Sequence, residues 1–544
     1  MDFNKIFHNA PVQVTNRSAF NCGHKNLFTA DCGALVPVLC DPVIPNTTLD
    51  LSFASQIQLP PLATDFYGNV YAKFEAFFVP NRIIWAGWRE FMTVPNLEDR
   101  DPFQEDQRLP ISLPYATVNP SQPNTLSLLQ QPGGLADMLG YKLKFPEFTE
   151  DNPEFTIPNL LPFLAYHKIY DDWYRDSRLQ KPIFTTYSAS SSSNRKNWRH
   201  SPFYGSVQSD SQLIAFETDA DTDYNIFGLH QRNWQKDYFT NASALPQAGD
   251  AAKVKFNVSG GSGEFTVAAL RAANALDNWF IRNNMAGERY ADQIKATFGV
   301  YPSDTITDRA IYLGSKTVQV YNKSVYESVQ ASPDSNSPNQ FSGTLGSKAS
   351  SASGFGDGGL INNFTATEHG HIIVIFSLVP EPLYSTGTRR YLQYSQITDF
   401  PNPMLQGVGD QPIYSYEVDY NVPGVATWND PDVFGYTQRY SEAKFMNDEV
   451  HGLLRDGQNL SAFALQRSVS GDTPSVIGSD FIEIPKDYLD QVCNVGQEVS
   501  RYGCWCETYF KYNKIIPLAA YSIPTLGDPR DTHTEIIDLG GKRL

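Results

Sequence analysis

The chain has 544 residues and a net charge of −17, with 19% charged and 13% aromatic residues. That balance excludes a protein that holds nucleic acid by its overall field, which would be basic; any such contact must be local or pass through a separate basic partner. The aromatic excess points to strands and interfaces, and the length leaves the domain count open, because β-rich folds carry long insertions around one core.

No basic segment followed by an apolar stretch opens the sequence. The longest apolar run, HIIVIFSLVP at 371–380, is far shorter than the roughly 20 residues of a membrane helix. The expectation is a soluble protein without membrane insertion, made in the cytosol. Cysteines at 22, 32, 40, 493, 504 and 506 then read as free thiols.

In chain order, the first strong strand signal is AKFEAFFV at 72–79, closed by Pro80. It runs into FFVPNRIIWAGW, where Phe77, Phe78, Trp85 and Trp88 are too apolar to stay in water; they are expected in the chain's own core or a subunit interface. LPFLAYHKIYDDWYRD reads as a helix with Pro162 in its first turn and Ile169, Tyr170 and Trp173 on one stripe. The polar region 188–223 reads as a surface insertion. Within it, SNRKNWRH places Arg195, Lys196 and Arg199 around Trp198, a set able to hold phosphates and stack a base, although an ordinary charged loop is the simpler reading.

AKVKFNV (252–258) reads as a strand, and Ala269, Ala272, Ala273, Leu276, Trp279 and Phe280 line one helical face. GERYADQIKATFG reads as a further helix that Gly299 closes in the left-handed conformation. KTVQVYNKSV (316–325), HIIVIFSLV (371–379) and PIYSYEVDY (412–420) read as strands. The Gly- and Ser-rich segment 337–359 reads as a loop. Lys542 and Arg543 form a small basic end. Widely spaced strands with long connections fit a sheet sandwich with enlarged loops better than a meander or a βαβ repeat.

Chemical motifs are weak. GFGDGG at 354–359 matches a dinucleotide fingerprint in letters only, because a Ser/Gly run precedes it where a strand is required. Asp219, Asp221 and Asp223 begin like a calcium loop, but Tyr224 stands where Gly is needed and His230 where Glu belongs. Cys504 and Cys506 lack a second cysteine pair or a nearby histidine, and so read as buried thiols. Glu368, His369 and His371 precede the most apolar strand and read as hydrogen-bonding groups at its entry. No catalytic residue, cofactor site or metal site is expected. The surviving enzyme alternative is a polysaccharide-binding or hydrolysing β-sandwich, since paired carboxylates leave no sequence motif.

YAKFEAFFVPNRIIWAGWREFM closely resembles a segment of the major capsid proteins of Microviridae, the small single-stranded DNA phages, especially the gokushovirus branch. LFTADCGALVPV, PFLAYHKIYDDWYRD, QKDYFTNASALPQAGD, GERYADQIKATFGV, FTATEHGHIIV and YSIPTLGD are similar to further family segments, in the family's order. The resemblance implies a mainly β chain, one viral jelly-roll β-sandwich spanning 1–544 with long loop- and helix-containing insertions. It implies 60 copies in a T=1 icosahedral virion shell around circular single-stranded DNA, assembled in the bacterial cytoplasm. Implied partners are a small basic DNA-binding protein, a minor pilot protein, an internal scaffolding protein and a host surface receptor. The family's large insertion after the QKDYFTNASALPQAGD segment is short here, so a reduced threefold protrusion is expected, with extra length at 188–223 instead.

Overall fold

This computed structural model describes residues 17–62, 65–85, 123–141, 155–180, 226–246, 309–326, 348–385, 387–407, 409–419, 432–467, 476–493 and 503–518, with short pieces at 88, 92, 113–114, 116–118, 185–186, 196–197, 295 and 299. Nine long-range strands carry the fold: β1 (Ser18–Asn21), β2 (His24–Ala30), β3 (Val36–Val43), β4 (Thr48–Gln58), β5 (Val70–Pro80), β6 (Ile311–Tyr326), β7 (Lys348–Thr365), β8 (Gly370–Pro380) and β9 (Cys504–Ile516). All their pairings are antiparallel.

The order is β1-β9-β4-β7-β6-β5-β8-β3, with β2 beside β1 along β9. The ribbon bends at β6 and β7. Ile311–Val320 of β6 pair with β5, whereas Tyr321–Tyr326 pair with β7, whose remainder turns to β4. Two sheets result, each four strands wide, β1/β2-β9-β4-β7 facing β3-β8-β5-β6, and this non-sequential order is that of a jelly roll.

Alternation along β5 sets the layers, because successive side chains point to opposite faces. Val70, Ala72, Phe74, Ala76 and Phe78 enter the core between the sheets, where Phe74 packs against Phe53 and Phe376 at ring-centroid distances of 4.3 and 5.1 Å. Phe77 and Val79 point the other way, with Ile373 and Ile375 of β8, into a second core. That core is roofed by the helix Leu161–Ile169, its wide terminal turn Tyr170–Tyr174, and the short helix Asn81–Ile84. Every residue of β8 is therefore buried, which is why it reads as one unbroken apolar run. By contrast β9 alternates buried and exposed positions over most of its length, as a strand covered on one face should.

The loop expected at 337–359 is corrected from residue 348 onward, where the chain forms β7. Glycine here serves close packing. A Cβ on Gly356 would come within 2.3 Å of Val318 Cγ2, and one on Gly354 within 2.9 Å of the Gln319 carbonyl oxygen, so only glycine lets β7 lie against β6 at the bend. GFGDGG is thus mid-strand and has no helix to offer a phosphate. The strand expected at 412–420 also stops early, at Tyr414. A turn of helix, Ser415–Val418, follows because Glu417 reaches back to accept from the Tyr414 amide at 3.0 Å.

The helix expected at 161–176 forms as far as Tyr174 with Pro162 in its first turn, and Gly299 has φ +69° with its amide donating to the Lys295 carbonyl at 3.0 Å. The Ala-rich helix, the strand at 252–258, the acidic turn at 219–225 and almost all of 188–223 lie outside the described residues.

Candidate assembly surface

FFVPNRIIWAGW is held from two sides. Phe77, Phe78 and Trp85 are each 1% exposed within the single subunit, so they belong to its own cores; Trp88 is half-buried and packs on the second core. The strand entry of β8 pins the turn. The Asn81 amide donates to the His369 carbonyl at 2.9 Å, His371 Nδ1 meets Asn81 Oδ1 at 2.9 Å, and Arg82 pairs with Glu368 at 2.8 Å. Burial holds the His371 imidazole down at about 4, hence neutral at pH 7. Glu368, His369 and His371 therefore act as a clasp, and no group of three or more metal-ligating side chains occurs among the described residues.

The cysteines are all free. Cys504 and Cys506 share the inward face of β9, with sulfurs 3.6 Å apart, and burial raises the neighbouring Cys32 thiol well above its ordinary range. Burial likewise raises the Cys40 and Cys493 thiols, against thiolate chemistry at these positions. Of the expected basic contacts, Lys196 lies in a two-residue strand paired with Thr185–Thr186; Arg195, Trp198, Arg199, Lys542 and Arg543 lie outside the described residues.

The apolar surface lies elsewhere, in the long connection from β8 to β9. Its scaffold is the antiparallel ribbon Asp410–Tyr414 with Val433–Gln438, which packs Ile413 and Phe434 onto Tyr238, Phe239 and Phe481 in a third core. A buried polar network fixes it. Glu417 accepts from Tyr238 Oη at 2.9 Å and from Arg390 at 3.1 Å, and burial pushes its carboxyl up to about 6 against the pull of Arg390. Glu442 accepts from Tyr394 Oη at 2.8 Å and Gln411 Nε2 at 2.5 Å.

On this rigid base stand large side chains in water: Ile397, Met404 and Met446 are 88%, 90% and 86% exposed, and Tyr391, Leu392, Phe400 and Phe445 are more than half exposed. Tyr391, Leu392, Phe445 and Met446 rim one cleft of about 740 Å³, with Arg389 and Glu449 paired at 2.7 Å on its wall. Large apolar side chains gathered at one cleft among charged groups are characteristic of interaction surfaces.

A second open surface is the outer face of β2-β9-β4-β7. The registers Leu27↔Glu507, Glu507↔Gln56 and Gln56↔Phe355 place Leu27 and Phe355 at the two ends of one cross-strand row, with Trp505 and Tyr509 pointing outward on either side of Glu507. Sequence reasoning found neither surface. The available signal was apolar residues that belong to no period, as in YLQYSQITDFPNPML, where Leu392, Ile397, Phe400 and Met404 are separated by polar residues and by the Pro-Asn-Pro run at 401–403.

Comparison with known proteins agrees with this architecture. The chain is similar to capsid protein VP1 of Chlamydia phage 1, at 24% identity over 96% of this chain and 97% of that protein. It is also similar to VP1 of Bdellovibrio phage phiMH2K, at 23% over 95% and 97%, and of Spiroplasma virus 4, at 23% over 81% and 82%. The family described as capsid protein (F protein) matches residues 9–263 and 257–526, so the chain belongs to that family and is a structural phage capsid protein, not an enzyme.

Proposed function

We propose that this subunit closes a T=1 shell of 60 copies around circular single-stranded DNA, and that the β8–β9 connection supplies one of its subunit contacts. The observation that carries the contact is the set Leu392, Ile397, Met404, Phe445 and Met446, held in water by a rigid ribbon on a capsid-family chain. Burying each such side chain contributes roughly 1.5–3 kcal/mol, an order of magnitude that suits an obligate shell interface.

The genome enters through local chemistry, since the net charge of −17 opposes general binding. Arg195, Lys196, Trp198, Arg199, Lys542 and Arg543 are the proposed strand contacts, with a small basic protein neutralising the rest. A pilot protein and an internal scaffolding protein complete the particle, assembled in the bacterial cytoplasm. Host attachment is assigned to surface loops, foremost 188–223.

The test is electron microscopy and sedimentation of particles from cells expressing the chain with its helper proteins. Leu392→Asp with Met446→Asp should leave a folded, soluble subunit and abolish shells. Normal yields of closed particles from that double variant would remove this surface from the shell interface.

A further inference from the structure

A separate feature lies on the outer side of the covered sheet. Outward positions on β5 run Val79, Phe77, Glu75, Lys73 and Tyr71, so the apolar roof ends at Glu75 and the next position carries a lysine. Beyond the edge of the roof lies a cleft of about 480 Å³, lined by Lys73, by Trp173 through Arg178 of the wide helical turn and its exit, and by Arg232 through Lys236.

Five cations line it: Lys73, Arg175, Arg178, Arg232 and Lys236. Their carboxylate partners are fewer. Arg232 is matched by Glu75 at 2.5 Å and Arg175 by Asp171 at 2.7 Å. Arg178 and Lys236 share Asp176, at 3.1 and 2.7 Å, and this pair holds its carboxyl at about 2 despite burial. Lys73 has no carboxylate partner among the described residues; burial and the nearby Arg232 lower its pKa, with Glu75 opposing. Among the described residues, two positive charges thus stand in excess of the paired carboxylates in this concave wall, on a molecule whose overall charge is −17.

A half-buried lysine with no carboxylate bonded to it among the described residues, and with Glu75 shared with Arg232, carries a cost that a bound anion would offset. Walls of low dielectric focus the field of such a cluster. Fixed guanidinium forks beside mobile ammonium groups suit the tetrahedral oxygens of phosphate.

We propose that this cleft binds a phosphate group, with Lys73 and Lys236 as its mobile ligands and Arg178 as its fixed one. The ligand is a phosphodiester of a nucleic-acid strand or a free phosphate ion; both present the same oxygens. The assignment rests on the geometry of the cleft and not on the shell reading.

The experiment uses the full-length subunit at low ionic strength, with a fluorescein-labelled oligothymidylate followed by anisotropy and inorganic phosphate followed by calorimetry. Lys73→Gln with Lys236→Gln should weaken the oligonucleotide by about fivefold or more and flatten its log–log salt dependence by about 1.4, roughly 0.7 per lost contact. Lys25→Gln, an exposed lysine paired with Glu507 on the other sheet, should change neither. Loss of inorganic phosphate binding alone, with the oligonucleotide unaffected, would assign the cleft to a free ion. Lys236→Gln by itself, at a half-exposed position, guards against a folding defect and should show the smaller loss of either ligand. If neither ligand binds, or if the double variant binds both as the parent does, the proposal is overturned. Shells that still form in that case would leave the capsid reading untouched.

Discussion

The two sheets of the sandwich share one core and differ on their outer sides. On β3-β8-β5-β6 the outer side is roofed over β8 and the end of β5 by the helix Leu161–Ile169 with Ile226 and Phe227, so Ile373 and Ile375 are buried beneath it. On β2-β9-β4-β7 the outer side is open, and Leu27, Phe355, Trp505 and Tyr509 stand in it. Burial on both sides makes a sheet a stability element, whereas burial on one side leaves a surface for partners. A capsid subunit needs one of each.

The sharpest way to break this contrast is by substitution at matching outward positions. Ile375→Ala should cost about 2–5 kcal/mol of subunit stability, through lost transfer energy and a cavity beneath the helical roof. A urea midpoint measured on the unassembled subunit reads this directly; a loss under about 1 kcal/mol would mean the roof is loosely seated.

Acid tests the roof as a unit. His167 and His230 face each other at 2.7 Å beneath it, and His371 lies at the β8 entry; burial lowers all three, His167 and His371 to about 4 from 6.5. A histidine whose folded pKa lies below its unfolded one contributes stability that is complete above pH 6.5 and is lost as pH falls toward 4. Between pH 7 and 5 each of His167 and His371 should take away about 2 kcal/mol. Glu417, held up at about 6 in the β8–β9 connection, works in the opposite sense and offsets part of it. Hydrogen exchange should accordingly quicken first in Leu161–Ile169 and last in β9. Uniform acceleration would contradict the assignment.

The smallest effect is expected on the open face. Phe355 is 74% exposed, so Phe355→Thr, which keeps a strand-forming residue, should move subunit stability by no more than about 0.5 kcal/mol. A shift comparable with that of Ile375→Ala would show that something of the subunit's own covers this face.

The same contrast explains what could be read in advance. β8 was legible because a doubly buried strand is apolar throughout, as GHIIVIFSLVP is, and β5 because VYAKFEAFFVP is rich in aromatic and β-branched residues, alternates buried and half-buried positions at first, and ends on Pro80. β7 was not, because KASSASGFGDGG carries no β-forming signal; its glycines answer to the closeness of Val318 and Gln319, a tertiary demand invisible from within the segment. β9 alternates as CWCETYFKYN should, yet its cysteines drew attention to thiol chemistry and away from period two. Burial of Phe77, Phe78 and Trp85 followed from their apolarity, while the choice between core and interface needed the roof to be seen. The exposed set around Met446 lies in single helical turns and loops, too short for a period to show which side chains face water; the lack of a period was its one signal.

The central place of β9 bears on the order in which the molecule can be made. β1 and β2 have β9 as their ladder partner, and β9 begins at Cys504, more than four hundred residues downstream. At roughly 5–20 residues per second, the nascent chain waits on the order of a minute with these strands and one edge of β4 unsatisfied. The first sheet therefore closes only once Cys504–Ile516 has been made, in a single late event, and until then its edges are open to pairing with other chains being made nearby.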